Sequence, residues 1–204
     1  MLIESDNTAA DLCIRYAGGT KKINQFLEEN KIEGMSVDRP TYVALSNYLG
    51  IMNVTENEAY DDAKIVQELR NLTREQREQA AAKFMQDQRD NSSPMAMVKL
   101  LQRTWDQEIL SKASTDLFLQ ILKECKTGDN RLKGLLPAGT IVYHKTGTIG
   151  SVSNDVGIIA LPEPFGNIAI AVFIKEAQMD SKETESIIAN VARTLYDIFI
   201  ANHQ

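Results

Sequence analysis

Apolar residues recur at helical spacing along the first two thirds of the chain and at strand spacing along the last third. Asp6 or Asn7 is placed to cap a helix over 8–16 that stops at Gly18-Gly19, a pair suited to a left-handed end. Thr20 is expected to cap a second helix, with Ile23, Phe26 and Leu27 inward and an end before Gly34. Charged helical stretches occupy 61–72 and 74–85, with narrow apolar stripes at Ile65, Leu69 and Leu72 and at Ala80, Phe84 and Met85. They form a helical hairpin that is either solvated cover or a docking surface. At Ser93-Pro94 a capping serine precedes a proline at the first helical position, where a missing N–H costs nothing; Met97, Val98, Leu101 and Trp105 continue the buried face. Ser114 is expected to cap a helix through Lys126, with Leu117, Ile121, Leu122 and Cys125 inward.

The last third predicts strands over 140–145, 156–161 and 168–175, joined by a turn at Gly150 and by a loop over 162–167, so antiparallel neighbours are expected. Asp180 with Glu183 forms a capping box for a final helix, whose Ile187, Ile188, Val191, Leu195 and Ile198 should lie across the sheet. The class is α/β (α+β), an antiparallel sheet flanked by helices beside a mainly helical lobe. The expected division is 1–126, carrying a helical insertion at about 48–86, and 127–204, three strands plus the C-terminal helix.

Composition narrows the partners. With 204 residues, 43% hydrophobic and 25% charged, the chain is globular material for one domain or two lobes. A net charge of −6, with no basic run interleaved with aromatics, argues against nucleic acid and for a small-molecule or peptide-like partner. No segment approaches a membrane span. Cys13 and Cys125 lack metal-ligand spacing and are expected as buried free thiols; no metal or cofactor is called for. Glu4 and Asp6 interrupt the start before any signal-peptide pattern, so the expectation is a late start or a missing beginning.

The candidate chemistry centres on Lys145-Thr146-Gly147-Thr148, where a glycine two residues past a lysine lets a ligand lie against the strand backbone beside a fixed positive charge. By alternation His144 points to the opposite face and is structural. At the other end stands Ser5-Asp6-Asn7. A Ser-Asp-Asn followed by a Lys-Thr-Gly resembles the signature of class A β-lactamases and penicillin-binding proteins. The segment 87–97, Thr127-Gly128, Arg131-Leu132, the run 134–139 and Asn154-Asp155-Val156-Gly157 resemble the same family, leaving only about 48–83 uncovered.

The resemblance implies a periplasmic or secreted serine hydrolase that performs acyl transfer on a β-lactam or related amide, without a cofactor. In it, Ser5 relays a proton, Asn7 holds the substrate amide, Lys145 and Thr146 bind the substrate carboxylate beside Gly147, and the Thr148 N–H forms half of an oxyanion hole. No arginine lies over 153–161, and in such members an arginine matching Arg131 helps bind the carboxylate; the alternative is a surface arginine in a polar loop. Asp38-Arg39 resembles the pair bracing the family's catalytic loop, or is a solvated turn.

Two departures matter. Thr41 stands where class A enzymes carry the glutamate that activates the deacylating water. No serine of this chain has a lysine three residues on, so the family's Ser-x-x-Lys nucleophile is absent from it, with the segment that forms two further strands. Two readings follow: part of a β-lactamase-like hydrolase, or a non-catalytic binding module keeping the pocket. Without those strands the strand over 168–174 has an open edge, expected to pair in a homodimer or with a separate N-terminal piece.

Overall fold

The computed structural model describes residues 1–51, 54–55 and 61–202, so His203 and part of the expected insertion lie outside the described residues. The elements are α1 (Asn7–Tyr16), α2 (Thr20–Glu29), α3 (Thr41–Leu49), α4 (Asp62–Asn71), α5 (Arg74–Met85), α6 (Pro94–Trp105), α7 (Lys112–Lys123), β1 (Val142–Ile149), β2 (Val152–Ala160), β3 (Asn167–Ile174) and α8 (Ser181–Ala201). The fold is α/β, with a small open antiparallel sheet in the order β1-β2-β3 flanked by helices. Two compact units are present, Met1 with Asp6–Ser92, and Leu2–Ser5 with Ser93–Gln204.

In the first unit, Asp6 rather than Asn7 caps α1, its carboxylate accepting the Ala9 N–H at 2.6 Å. Gly19, not Thr20, caps α2, and no side chain bonds there; Thr20 is already helical. α1 buries no residue, which leaves Cys13 exposed against expectation. The first amides of α3 have no partner inside the helix, and Asp11 supplies it: the Thr41 and Tyr42 N–H groups donate to its carboxylate at 2.6 and 2.9 Å. Tyr42, Ile51 and Ile65 form the core, with Leu49, Val54, Leu69 and Leu72 packed against it. The stripe of α4 is thus inside, so the hairpin is more than solvated cover.

Beside this core lies a buried charge. The Arg39 side chain is 3% exposed, donating from Nε to Asp90 at 2.5 Å and from Nη1 to Asp87 at 3.1 Å and to Asn47 at 2.7 Å. Its guanidinium carbon stands 5.3 Å from the Phe84 ring centroid. Asp38 completes the knot by accepting from Ser36 Oγ and the Asp90 N–H at 2.6 and 2.8 Å.

The second unit is built on the sheet. β2 pairs with both neighbours, Lys145 opposite Val156, Thr146 opposite Asp155, and Val156 opposite Ala171. Alternation then sorts the faces. Val142, Ile159, Ile168 and Ile170 join Ile188, Ala192 and Tyr196 of α8 in one cluster around Leu132. On the other face Tyr143 meets Trp105 of α6 with ring centroids 5.9 Å apart, and α7 lies along β1. The strands extend beyond expectation: β1 runs through Gly147 to Ile149 and β2 begins at Val152, because each supplies the other's hydrogen bonds across this stretch.

Helix faces differ in detail as well. Ser93 caps α6 through the Ala96 N–H at 3.1 Å. Ser111, not Ser114, caps α7, and Leu117 is exposed rather than inward. On α8 the buried row is Thr184, Ile188, Ala189, Ala192 and Tyr196, whereas Ile187, Val191 and Ile198 are exposed. Among the described residues no helix is long and apolar enough to cross a membrane.

Candidate functional site

Lys145 sits in mid-strand on β1, half-buried, and its Nζ donates to Ser5 Oγ at 2.8 Å and to the Thr146 carbonyl at 2.6 Å. Ser5 is 140 residues away in sequence and belongs to the same compact unit through the segment Leu2–Ser5. Two ties hold that segment: the Lys126 N–H donates to Ile3 O at 3.1 Å, and the Lys126 ammonium pairs with Glu4. Ser5 itself adopts φ 57°, a left-handed conformation costing a residue with a Cβ about 1 kcal/mol or more. Burial pushes the Lys145 pKa down; the fields of Cys125 and Asp155 oppose that shift and Arg131 adds to it.

The loop after α7 lies along the same strand. Thr127 Oγ1 and Thr146 Oγ1 share a hydrogen bond of 2.6 Å. Gly128, at φ 77°, passes so close that a Cβ there would meet Thr146 Cγ2 at 2.4 Å, a clash only glycine avoids. Arg131 is buried. Its Nη1 donates to the Gly147 and Asn154 carbonyls at 3.2 and 2.8 Å, its Nη2 to Thr148 Oγ1 at 2.7 Å, and its Nε to Glu185 of α8 at 3.2 Å. It is therefore no surface arginine; the guanidinium knits β1, β2 and α8 together and presents the Thr148 hydroxyl.

The structure thus brings Ser5, Lys145, Thr146, Gly147, Thr148 and Arg131 together on one strand end, while Asn7 opens α1, exposed, in the other unit. Thr41 begins α3 there. The sequence assigned no role to Thr127 or Glu185. Their contacts with Thr146 and Arg131 span 19 and 54 residues, and no local pattern marks them. None of these residues lines the cavity of about 510 Å³ formed by Met179, Lys182, Glu183, Ser186 and Ile187; the candidate site is a row on a strand. Among the described residues no group of three or more His, Cys, Asp or Glu could hold a metal ion.

Comparison with known proteins gives this row a context. A family model described as the β-lactamase enzyme family matches residues 1–199. β-Lactamase VEB-1 of Pseudomonas aeruginosa is 31% identical over 97% of this chain and 56% of its own length. A β-lactamase of Bacteroides uniformis is 30% identical over 95% and 56%. The crystal structure of the TLA-3 extended-spectrum β-lactamase superposes with a TM-score of 0.69 at 31% identity, over 98% of this chain and 62% of that one. An ancestral class A β-lactamase of Gram-negative bacteria gives 0.72 at 29%, over 97% and 62%. The chain spans a little over half the length of the curated relatives it matches.

Proposed function

The chain belongs to the β-lactamase enzyme family, and from that membership we propose that it carries the proton-relay and carboxylate-binding half of an acyl-transfer site for a β-lactam or related amide, corresponding to the family's domain from Ser-Asp-Asn onward. The observation that carries this reading is the 2.8 Å hydrogen bond from Lys145 Nζ to Ser5 Oγ. A module that only bound a carboxylate would need the lysine; it would have no use for a hydroxyl held in a left-handed backbone conformation beside it.

In this reading the substrate carboxylate sits over Lys145, Thr146 and Thr148 against Gly147. Arg131 helps through the Thr148 hydroxyl it holds and through its charge, since its own donors already face protein acceptors. Ser5 passes a proton toward the leaving nitrogen, and the Thr148 N–H donates to the developing oxyanion. Thr41 has no carboxylate to activate water, so an acyl-enzyme made on this scaffold would persist. The same reading places the protein in the periplasm or outside the cell.

No serine among the 204 residues has a lysine three residues on, and in this reading the nucleophile lies outside them. Benzylpenicillin is expected to bind reversibly, with intact-protein mass spectrometry showing no added mass. A stoichiometric adduct on any serine would overturn the assignment of the nucleophile to a Ser-x-x-Lys outside these residues.

β3 ends the sheet among the described residues, and its run Ile168-Ala169-Ile170-Ala171-Val172-Phe173-Ile174 carries no charge. Such an edge is a template for another strand, supplied by a second copy of the chain or by a segment outside the 204 residues. Sedimentation velocity across a concentration series decides between them: mass rising with concentration, and falling back in Val172→Pro, indicates the second copy. A monomer at every concentration excludes it.

A further inference from the structure

On the α8 face of the sheet, the face that Thr146 and Thr148 share and Lys145 does not, lies a buried ionisable pair that the proposed chemistry does not use. His144 and Asp155 are both 0% exposed. Nδ1 of His144 lies 2.9 and 3.0 Å from the two carboxylate oxygens of Asp155, one of which also accepts the Leu132 N–H at 3.1 Å. The other imidazole nitrogen, Nε2, has no partner among the described residues. A carboxylate can only accept, so the short Nδ1 contacts make Nδ1 the donor in the neutral ring and leave Nε2 as a bare acceptor.

The pair spans three pieces of chain that the site needs in register. His144 precedes Lys145, Asp155 is the cross-strand partner of Thr146, and Leu132 follows Arg131. Asp155 thus reaches out of the sheet and takes hold of the loop at the residue beside Arg131, while its other bonds run back to β1. Gly157 makes room for the arrangement. It faces His144 across the strands, and a Cβ there would meet the Tyr143 carbonyl at 2.2 Å and His144 Cβ at 2.7 Å. A half-satisfied buried carboxylate is costly, so the geometry of this pair is sharply defined.

We propose that the buried His144–Asp155 pair is the positioning device that fixes Arg131 and its loop against the Lys145–Thr148 row, so that affinity for a carboxylate ligand depends on two residues that never touch it. The inference rests on the carboxylate-binding reading given above. Asp155 has a second effect from behind the sheet: its field favours the charged form of Lys145, as does that of Cys125, while burial and Arg131 work against it.

The test compares His144→Leu, His144→Gln and Asp155→Asn with the unmodified chain, using benzylpenicillin as ligand and a denaturant melt for stability. Leucine removes the donor to Asp155, whereas the glutamine amide can still provide one. In the folded protein, His144→Leu and Asp155→Asn are expected to weaken benzylpenicillin binding about three- to tenfold, with binding largely rescued in His144→Gln. In Asp155→Asn the Lys145 titration midpoint, followed by NMR of labelled lysine, should move further down, since a supporting negative charge is gone. Variants that melt earlier but bind with the unmodified dissociation constant, with the Lys145 midpoint unmoved, would reduce the pair to a packing role and overturn the proposal. If the unmodified chain binds no benzylpenicillin, the carboxylate reading fails, and amide exchange of Leu132 decides this inference: faster exchange in folded Asp155→Asn than in the unmodified chain supports the tie, and equal exchange overturns it. If the variants do not fold, amide exchange of Leu132 in the unmodified chain decides: strand-level protection supports the tie, and loop-level exchange overturns it.

Discussion

Arg39→Ala is expected to destabilise the unit Asp6–Ser92 by about 3–5 kcal/mol, the cost of removing one partner from a buried ion pair. The magnitude follows from what is left behind. Asp90 would keep the Asp38 and Arg39 N–H groups, at 2.6 and 3.0 Å, but lose its guanidinium partner, and Asn47 would lose the donor at 2.7 Å. The Phe84 ring would lose the cation above it. Denaturant melts of the variant and the unmodified chain measure the difference; a loss below about 1 kcal/mol would mean that the cluster is screened like an exposed pair. The same cluster sets an acid limit. Hydrogen bonds from Arg89 hold the Asp87 carboxyl far below its usual range, and those from Ser36 and the Asp90 N–H lower Asp38. Both groups are depressed in the folded state, so their stabilisation is fully present above the unfolded value of about 3.9 and is lost as pH falls through the folded values. Melts that do not weaken below about pH 4 would contradict the linkage.

Replacing Lys145 by alanine should weaken reversible benzylpenicillin binding by about 1.5–3 kcal/mol, roughly 10- to 150-fold, as a charge-assisted contact is removed. Calorimetric titration reads the loss directly, and an unchanged dissociation constant would remove β1 from the binding site. The unmodified chain adds a test through pH. Since burial depresses the Lys145 pKa, the ammonium is lost below the ordinary lysine value of about 10.4, and affinity should fall as pH rises through that lowered value. In Lys145→Ala this alkaline limb should vanish.

Local order was legible wherever a residue and its partner lie within one turn. Ser93 before Pro94 and Asp180 before Glu183 were readable as caps because each bonds an amide three residues on. The same logic misplaced the start of α7, where Ser111 and Ser114 both qualify as caps, and propensity alone does not choose between them. On α8 it was right for Ile188 and Leu195, which pack in the sheet core, and wrong for three others. Ile187 and Val191 lie one residue away from Ile188 and Ala192, and Ile198 lies two beyond Tyr196; both rows are apolar, and only docking on the sheet selects one.

For the site, the sequence determined which residue types were present, the β-strand character leading into Lys145, and the opposite facing of His144 and Lys145, since these depend on side-chain chemistry and the two-residue period of a strand. It also fixed the absence of a serine with a lysine three residues on. Only the tertiary structure decided that β1 continues through Gly147, that Lys145 reaches Ser5 across 140 residues, that Arg131 is anchored to Gly147, Asn154, Thr148 and Glu185, and that Asp155 holds Leu132. The physical reason is common to all four. Each bond joins groups from separate elements, and their meeting is set by how β1, β2, α8 and the loop after α7 pack around one core, which local sequence does not encode.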